Sequence, residues 1–143
     1  MKKLASKIVY NAEIMKIMSF FEKITGTRLK DCIIEERQFI FIVQPGMISK
    51  AIGKRGVNVK TLEKKLNKKI KIVEFNPMLK EFVLNYIMPI RVEEIQQDGN
   101  VITLMSADTA AKSMLIGRNA QNLRHTEEII KRYFPQLEEI KVM

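Results

Sequence analysis

The chain has 143 residues, of which 46% are apolar, and carries a formal net charge of +9 at pH 7. This length suffices for one ordinary core or for two compact modules of about 70 residues that support each other. No apolar run approaches the roughly 20 residues of a membrane span, and Lys7, Glu13 and Lys16 place charges early in the chain. We therefore expect a cytoplasmic protein without a secretory signal or membrane contact.

The first half of the chain has the pattern of one helix, two strands, two helices and one strand. Apolar residues recur at helical spacing up to Ile24, before Gly26, and two β-rich runs follow, the second ended by Pro45 and Gly46. A short helix is then interrupted at Gly53, and a second one follows. The predicted elements are a helix over 11–24, strands over 32–34 and 39–43, helices over 47–52 and 59–66, and a strand over 70–75.

The second half repeats this order, and Asp98-Gly99-Asn100 marks its hairpin. The predicted elements are a helix over 79–87, strands over 91–95 and 101–105, helices over 107–116 and 123–134, and a strand over 140–142. Gly53 and Gly117 lie 64 residues apart, and four further pairs are identical at that offset, which indicates an internal duplication: Ser49/Ser113, Ile52/Ile116, Asn58/Asn122 and Glu63/Glu127. We predict two domains, 1–76 and 77–143, that meet at Asn76-Pro77.

The positive charge is concentrated in one segment. Lys50 to Lys71 contains nine basic residues and one acidic residue, a net charge of +8. Such a run favours a polyanionic partner, although a lysine-rich helix face that is merely solvated has the same composition. The segment surrounds a glycine loop, which favours the first interpretation.

The loop Gly53-Lys54-Arg55-Gly56 lies between the two helices of the first half. Glycine has no Cβ, so the backbone can turn sharply there and approach a phosphodiester closely. The amides that begin the next helix favour negative charge, and Lys54 and Arg55 would neutralise it. In the alternative interpretation Gly53 ends one helix, Gly56 begins the next, and both cations are only solvated.

This loop, with its flanking helices, hairpin and final strand, resembles the K-homology (KH) family in its type II form. The resemblance implies an α+β fold of two tandem type II KH domains, each α-β-β-α-α-β with its helices on one face of a three-stranded sheet. It also implies that about four nucleotides of single-stranded RNA are bound. Lys54 and Arg55 would contact phosphate, Ile48, Ile52 and Val57 would lie under the bases, and Asn58 and Lys60 complete the predicted site.

The second loop, Gly117-Arg118-Asn119-Ala120, has alanine where the pattern has its last glycine. We expect Ala120 to hinder any conformation that needs a positive φ, and hence weaker binding. Polar contacts remain available, and the predicted RNA-binding residues of this half are Gly117, Arg118, Asn119, Gln121, Asn122 and Arg124. The alternative is a degenerate copy that only holds the first module rigid.

The tandem arrangement, with both loops at corresponding positions, resembles the NusA family of transcription elongation and termination factors. Bacterial members carry a polymerase-binding domain and an S1 domain that this sequence lacks, and the short form is similar to the archaeal version. The resemblance implies single-stranded RNA as a partner, and RNA polymerase or the elongation complex as a second one. We expect a monomer. A ribosome-associated or RNA-processing KH protein is the alternative, and a scaffold for an acidic protein is another.

Catalysis is not expected. The single cysteine, Cys32, and the single histidine, His125, cannot form a zinc cluster, and any triad would depend on that one imidazole. The sequence has no nucleotide-binding phosphate loop, and its acidic pairs, such as Glu93-Glu94, are adjacent in sequence and do not converge. We predict no enzyme, cofactor or metal site. Cys32, most phenylalanines and the methionines are assigned to the core, and His125 to a surface helix.

Overall fold

The structure, a computed structural model, describes residues 11–143. Residues 1–10, which include Lys7 and the start of the predicted first domain, lie outside the described residues. Within the described part, every helix is too short or too polar to cross a membrane. The chain divides into two compact units, and the division falls between Asn76 and Pro77.

The first unit has the predicted order of elements. Its central strand, β2, pairs with β1 in antiparallel and with β3 in parallel orientation. A 3₁₀ turn at Lys54–Gly56 separates α2 from α3. The elements are α1 (Ala12–Thr25), β1 (Leu29–Ile34), β2 (Gln38–Val43), α2 (Ile48–Ile52), α3 (Val57–Leu66) and β3 (Lys69–Glu74).

The helices of the first unit pack on one face of the sheet. Side chains alternate along a strand, so Phe39, Phe41 and Val43 of β2 share a face. They join one buried cluster with a residue from each helix: Phe21 of α1, Ala51 of α2 and Leu62 of α3. The rings of Phe21 and Phe41 stack with centroids 4.2 Å apart. This packing fixes α2 and α3, and therefore the turn between them, relative to the sheet.

The second unit repeats the order around a central strand β5. Its core includes Phe82, Ile102, Leu104, Ile130, Phe134 and Ile140. The elements are α4 (Leu79–Ile87), β4 (Glu94–Asp98), β5 (Val101–Met105), α5 (Thr109–Ile116), α6 (Gln121–Lys131) and β6 (Glu139–Val142), with a 3₁₀ turn at Arg118–Ala120 between α5 and α6. The predicted α+β class, with two three-stranded sheets, is confirmed.

Two sequence-based expectations about side chains and bounds are wrong. The strand predicted over 91–95 runs over 94–98, because Asp98 pairs with Val101 and only Gly99 and Asn100 form the turn.

Cys32 is buried, as predicted, but several methionines are not in the core. Met15 lies on the outer side of α1, and Met78 and Met88 flank the ends of α4, where apolar neighbours occupy the inward positions. The exposed methionines are Met15, Met78, Met88, Met114 and Met143.

Candidate nucleic-acid interface

The first glycine loop is a tight turn that breaks the helix. Gly53 ends α2 with its N–H donating to Ser49 O at 3.0 Å, and Gly56 N–H donates back to Gly53 O at 3.0 Å. Gly53 has φ 80° and ψ 167°, while Arg55 and Gly56 are left-handed, with φ 57° and 71°. The helix is therefore broken within these residues, and Lys54 and Arg55 between the two glycines are exposed.

The two glycines of this loop are needed for different reasons. At Gly53 the backbone lies in a region that only glycine occupies readily, and an added Cβ would approach Asn58 Nδ2 to 2.8 Å. At Gly56 the backbone is in the left-handed helical region, and an added Cβ would meet nothing within 4 Å. Gly53 is therefore the stricter requirement of the two.

Positive charge and the start of a helix without a side-chain cap meet at this loop. Lys54, Arg55 and Lys60 are exposed. No side chain caps α3, whereas Asn11 caps α1 and Asp108 caps α5. The Gly56 and Val57 N–H groups already donate to Gly53 O and Lys54 O within the turn. The positive end of the α3 dipole and the exposed cations nevertheless attract an anion to the same place.

Apolar side chains flank the cations. Ile52 is 36% exposed and Val57 is 51% exposed, on the two sides of the turn, and Ile48 is half-buried one turn earlier in α2. Branched apolar side chains next to cations suit a ligand with a charged backbone and flat, weakly polar bases. The three residues predicted to lie under the bases are therefore beside the loop.

The basic segment is not uniformly available at the surface. Burial, and secondarily the charge of Lys69, lower the pKa of Lys71 on β3 below its ordinary value. Lys71 is half-buried, whereas Lys54, Arg55 and Lys60 are exposed. Lys71 is therefore less accessible to a phosphate than these three, although all four belong to the basic segment.

The second loop has nearly the same backbone as the first. Gly117 has φ 72° and ψ 178°, Asn119 has φ 54°, and Ala120 has φ 60° and ψ 21°. The second loop adopts this conformation although Ala120 carries a Cβ. The left-handed helical region is small but allowed for residues with a Cβ, at a cost of about 1–2 kcal/mol, and Ala120 N–H still donates to Gly117 O at 3.3 Å.

An asparagine holds each loop closed. Asn58 Nδ2 donates to Lys50 O of α2 at 3.1 Å, and Asn122 Nδ2 donates to Met114 O of α5 at 2.9 Å. Each amide lies against the first glycine of its own loop. Both residues were predicted to bind RNA. In the structure their side-chain amides instead donate to backbone carbonyl oxygens of the protein itself. The signal in the sequence was the repeated asparagine five residues after each first glycine.

Asn58→Ala is expected to loosen the first loop alone. The lost hydrogen bond lowers the free energy of unfolding by about 1 kcal/mol, and amide hydrogen exchange at Gly56 and Val57 becomes faster. Asn122→Ala is the matched control, with faster exchange at Ala120 and Gln121 only. Unchanged exchange in Asn58→Ala would show that the turn is held without this bridge.

The other residues predicted to bind RNA at the second loop differ in whether their side chains already contact another group of the protein. Arg118, Asn119 and Gln121 are exposed. Arg124 Nη1 instead contacts Glu127 Oε1 at 2.6 Å, and the other oxygen of this buried carboxylate accepts the Ile140 N–H at 2.7 Å. Arg124 thus helps to attach α6 to β6, and sequence reasoning did not find the role of Glu127. His125 lies on α6 and is half-buried.

A helix, a glycine turn with two cations and a second, uncapped helix on a three-stranded α+β unit are the features of a KH-type module. The KH domain model matches residues 16–100. A solved structure entitled "Crystal structure of APE1850" has the same fold, with a TM-score of 0.72 at 24% identity, covering 94% of this chain and 100% of the other.

Archaeal relatives carry a more specific name. The "Probable transcription termination protein NusA" of Methanocaldococcus jannaschii is 34% identical over 134 residues, which are 92% of this chain and 72% of that protein. The protein of the same name from Methanococcus vannielii is 32% identical, over 88% of this chain and 75% of the relative. The protein of the same name from Halococcus morrhuae is 25% identical, over 90% of this chain and 94% of the relative. The chain belongs to the KH-domain proteins and, among them, to the archaeal-type NusA family.

Proposed function

We propose that this protein binds single-stranded RNA through the loop Gly53–Gly56 and acts in transcription termination or antitermination. The observation that supports RNA binding best is the backbone of this loop. It turns sharply at Gly53, carries Lys54 and Arg55 at its tip, and leads into a helix without a side-chain cap. A phosphodiester chain is attracted by the cations and by the positive end of the helix dipole together.

The second unit is proposed to be a second type II KH domain in tandem with the first. It has the same order of elements, the same loop backbone and the same asparagine bridge. Its charge differs greatly, because residues 77–143 carry eight basic and nine acidic residues, against 17 and seven in residues 1–76. We infer that the first unit supplies most of the electrostatic affinity and that the second contributes a weaker contact through Arg118 and Asn119.

The role in transcription follows from the relatives, which are named transcription termination proteins. RNA polymerase or its elongation complex is accordingly the proposed protein partner, with the protein acting as a monomer in the cytoplasm. We propose a binding function without catalysis.

The salt dependence of binding tests the RNA proposal. If the loop neutralises about three phosphates of a tetranucleotide, log affinity should fall with log salt at a slope of about −2. Fluorescence anisotropy with labelled tetranucleotides of mixed sequence, between 50 and 300 mM salt, measures it. A flat salt dependence, or no binding at low salt, would contradict phosphate recognition by this loop.

A further inference from the structure

The outer side of α3 carries a row of residues that continues from the loop. Successive helix residues are about 100° apart, so Val57, Lys60 and Lys64 fall on the side opposite Leu62 and Leu66. The burial agrees, because Leu62 is fully buried, whereas Val57, Lys60 and Lys64 are exposed. We call Lys60 and Lys64 the α3 lysine row.

Among the described residues, neither lysine of the α3 lysine row takes part in an ion pair. Glu63, the one carboxylate of α3, lines a polar depression at the end of α3 away from the loop, together with Glu36, Arg37, Asn67, Lys68 and Lys69. Two lysines four residues apart on a helix repel each other. The helix dipole favours Lys64 in the last turn, but Lys60 in the middle gains nothing from it.

We propose that an RNA strand longer than four nucleotides leaves the glycine loop and follows α3 across the α3 lysine row. This rests on the proposed function, in which Lys60 already belongs to the loop site, and it adds Lys64 as a contact for phosphates beyond the first four nucleotides. Lys60 and Lys64 lie about 4.5 and 10.5 Å along the helix axis from Val57, at 1.5 Å per residue. The row is therefore continuous with the loop, and its charge fits the backbone of the same strand.

Two RNA lengths and two charge-reversed variants test this path. The variants are Lys64→Glu and, as a matched control, Lys23→Glu, since both lysines are exposed and lie in the last turn of a helix of the first unit. For the wild type we expect a decanucleotide to bind more tightly than a tetranucleotide and with a steeper salt slope, about −3.5 if five phosphates are neutralised.

Lys64→Glu should weaken decanucleotide binding about tenfold and make its salt slope shallower by about 0.7 or more. Tetranucleotide binding should change less than twofold, and Lys23→Glu should leave both RNAs within twofold. The path is wrong if Lys64→Glu behaves like Lys23→Glu, or if it weakens both RNAs equally. It is also wrong if polyglutamate displaces the decanucleotide as well as unlabelled RNA does, since the row would then fit an acidic protein.

The same measurement separates this inference from the proposed function. If the wild type binds neither RNA, the proposed function fails as a whole. If the tetranucleotide binds with the expected salt slope and the decanucleotide gains nothing, only the path along α3 is overturned.

Discussion

Replacing Lys54 and Arg55 by aspartate is expected to abolish the binding of single-stranded RNA, with a loss of at least about a hundredfold. Two cations at the tip of the loop are exchanged for two anions, so two phosphate contacts are lost and repulsion takes their place. Both side chains are exposed and form no ion pair with a described residue. Aspartate also tolerates the left-handed backbone of Arg55.

The fold should be unaffected by this change. Circular dichroism and the unfolding midpoint of the double variant should match those of the wild type, while anisotropy shows no binding at low salt. Lys16→Glu/Lys23→Glu is the control, because it removes the same charge from exposed positions of α1. Retained affinity in the Lys54/Arg55 variant, or an equal loss in the control, would move the site away from the loop.

Replacing Gly53 by alanine is expected to damage the loop much more than the same change at Gly56. At Gly53 the new Cβ would press against the Asn58 amide, and the backbone at φ 80° and ψ 167° excludes a side chain. We expect a loss of about 2 kcal/mol in unfolding free energy or, if the loop adjusts instead, a comparable loss of RNA binding. The loop cannot keep its conformation and accept the methyl group.

Gly56→Ala is the matched comparison. The new Cβ would meet nothing within 4 Å. The backbone at Gly56, with φ 71° and ψ 22°, has nearly the conformation that Ala120 adopts in the second loop, with φ 60° and ψ 21°. The expected cost is about 1 kcal/mol, with RNA binding retained. Denaturant titration and anisotropy on both variants provide the comparison. Equal effects of the two changes would show that neither the backbone conformation of Gly53 nor its contact with the Asn58 amide makes it the stricter requirement for glycine.

The order of elements could be predicted from the sequence because helix and strand periods differ and turns contain glycine or proline. Leu79–Ile87 and Val101–Met105 were predicted residue by residue. The error in β4 came from the hairpin, where pairing with β5 decides the bounds and the local pattern is weak, since only Ile95 of β4 is even half-buried. The exposed methionines were misassigned because an unbranched apolar side chain at a helix end has no periodic signal.

At the candidate site, too, some features could be predicted from the sequence and others could not. Glycines, cations and their charge are properties of residue type, so the loop, its net charge and the internal duplication could be found by inspection. The functions of Asn58, Asn122, Arg124 and Glu127 could not, because polar side chains suit a ligand and a backbone carbonyl equally well. Their hydrogen bonds depend on which groups the fold brings within about 3 Å.

By itself, then, the sequence determined the class of fold, the position of the turn between two helices, and the sign of the ligand's charge, since these depend on residue type and local spacing. Only the tertiary structure decided that the requirement for glycine is stricter at Gly53 than at Gly56, that Ala120 keeps the turn, and that Lys71 is half-buried. The physical reason is that burial and steric contact depend on residues distant in sequence, which packing alone brings together.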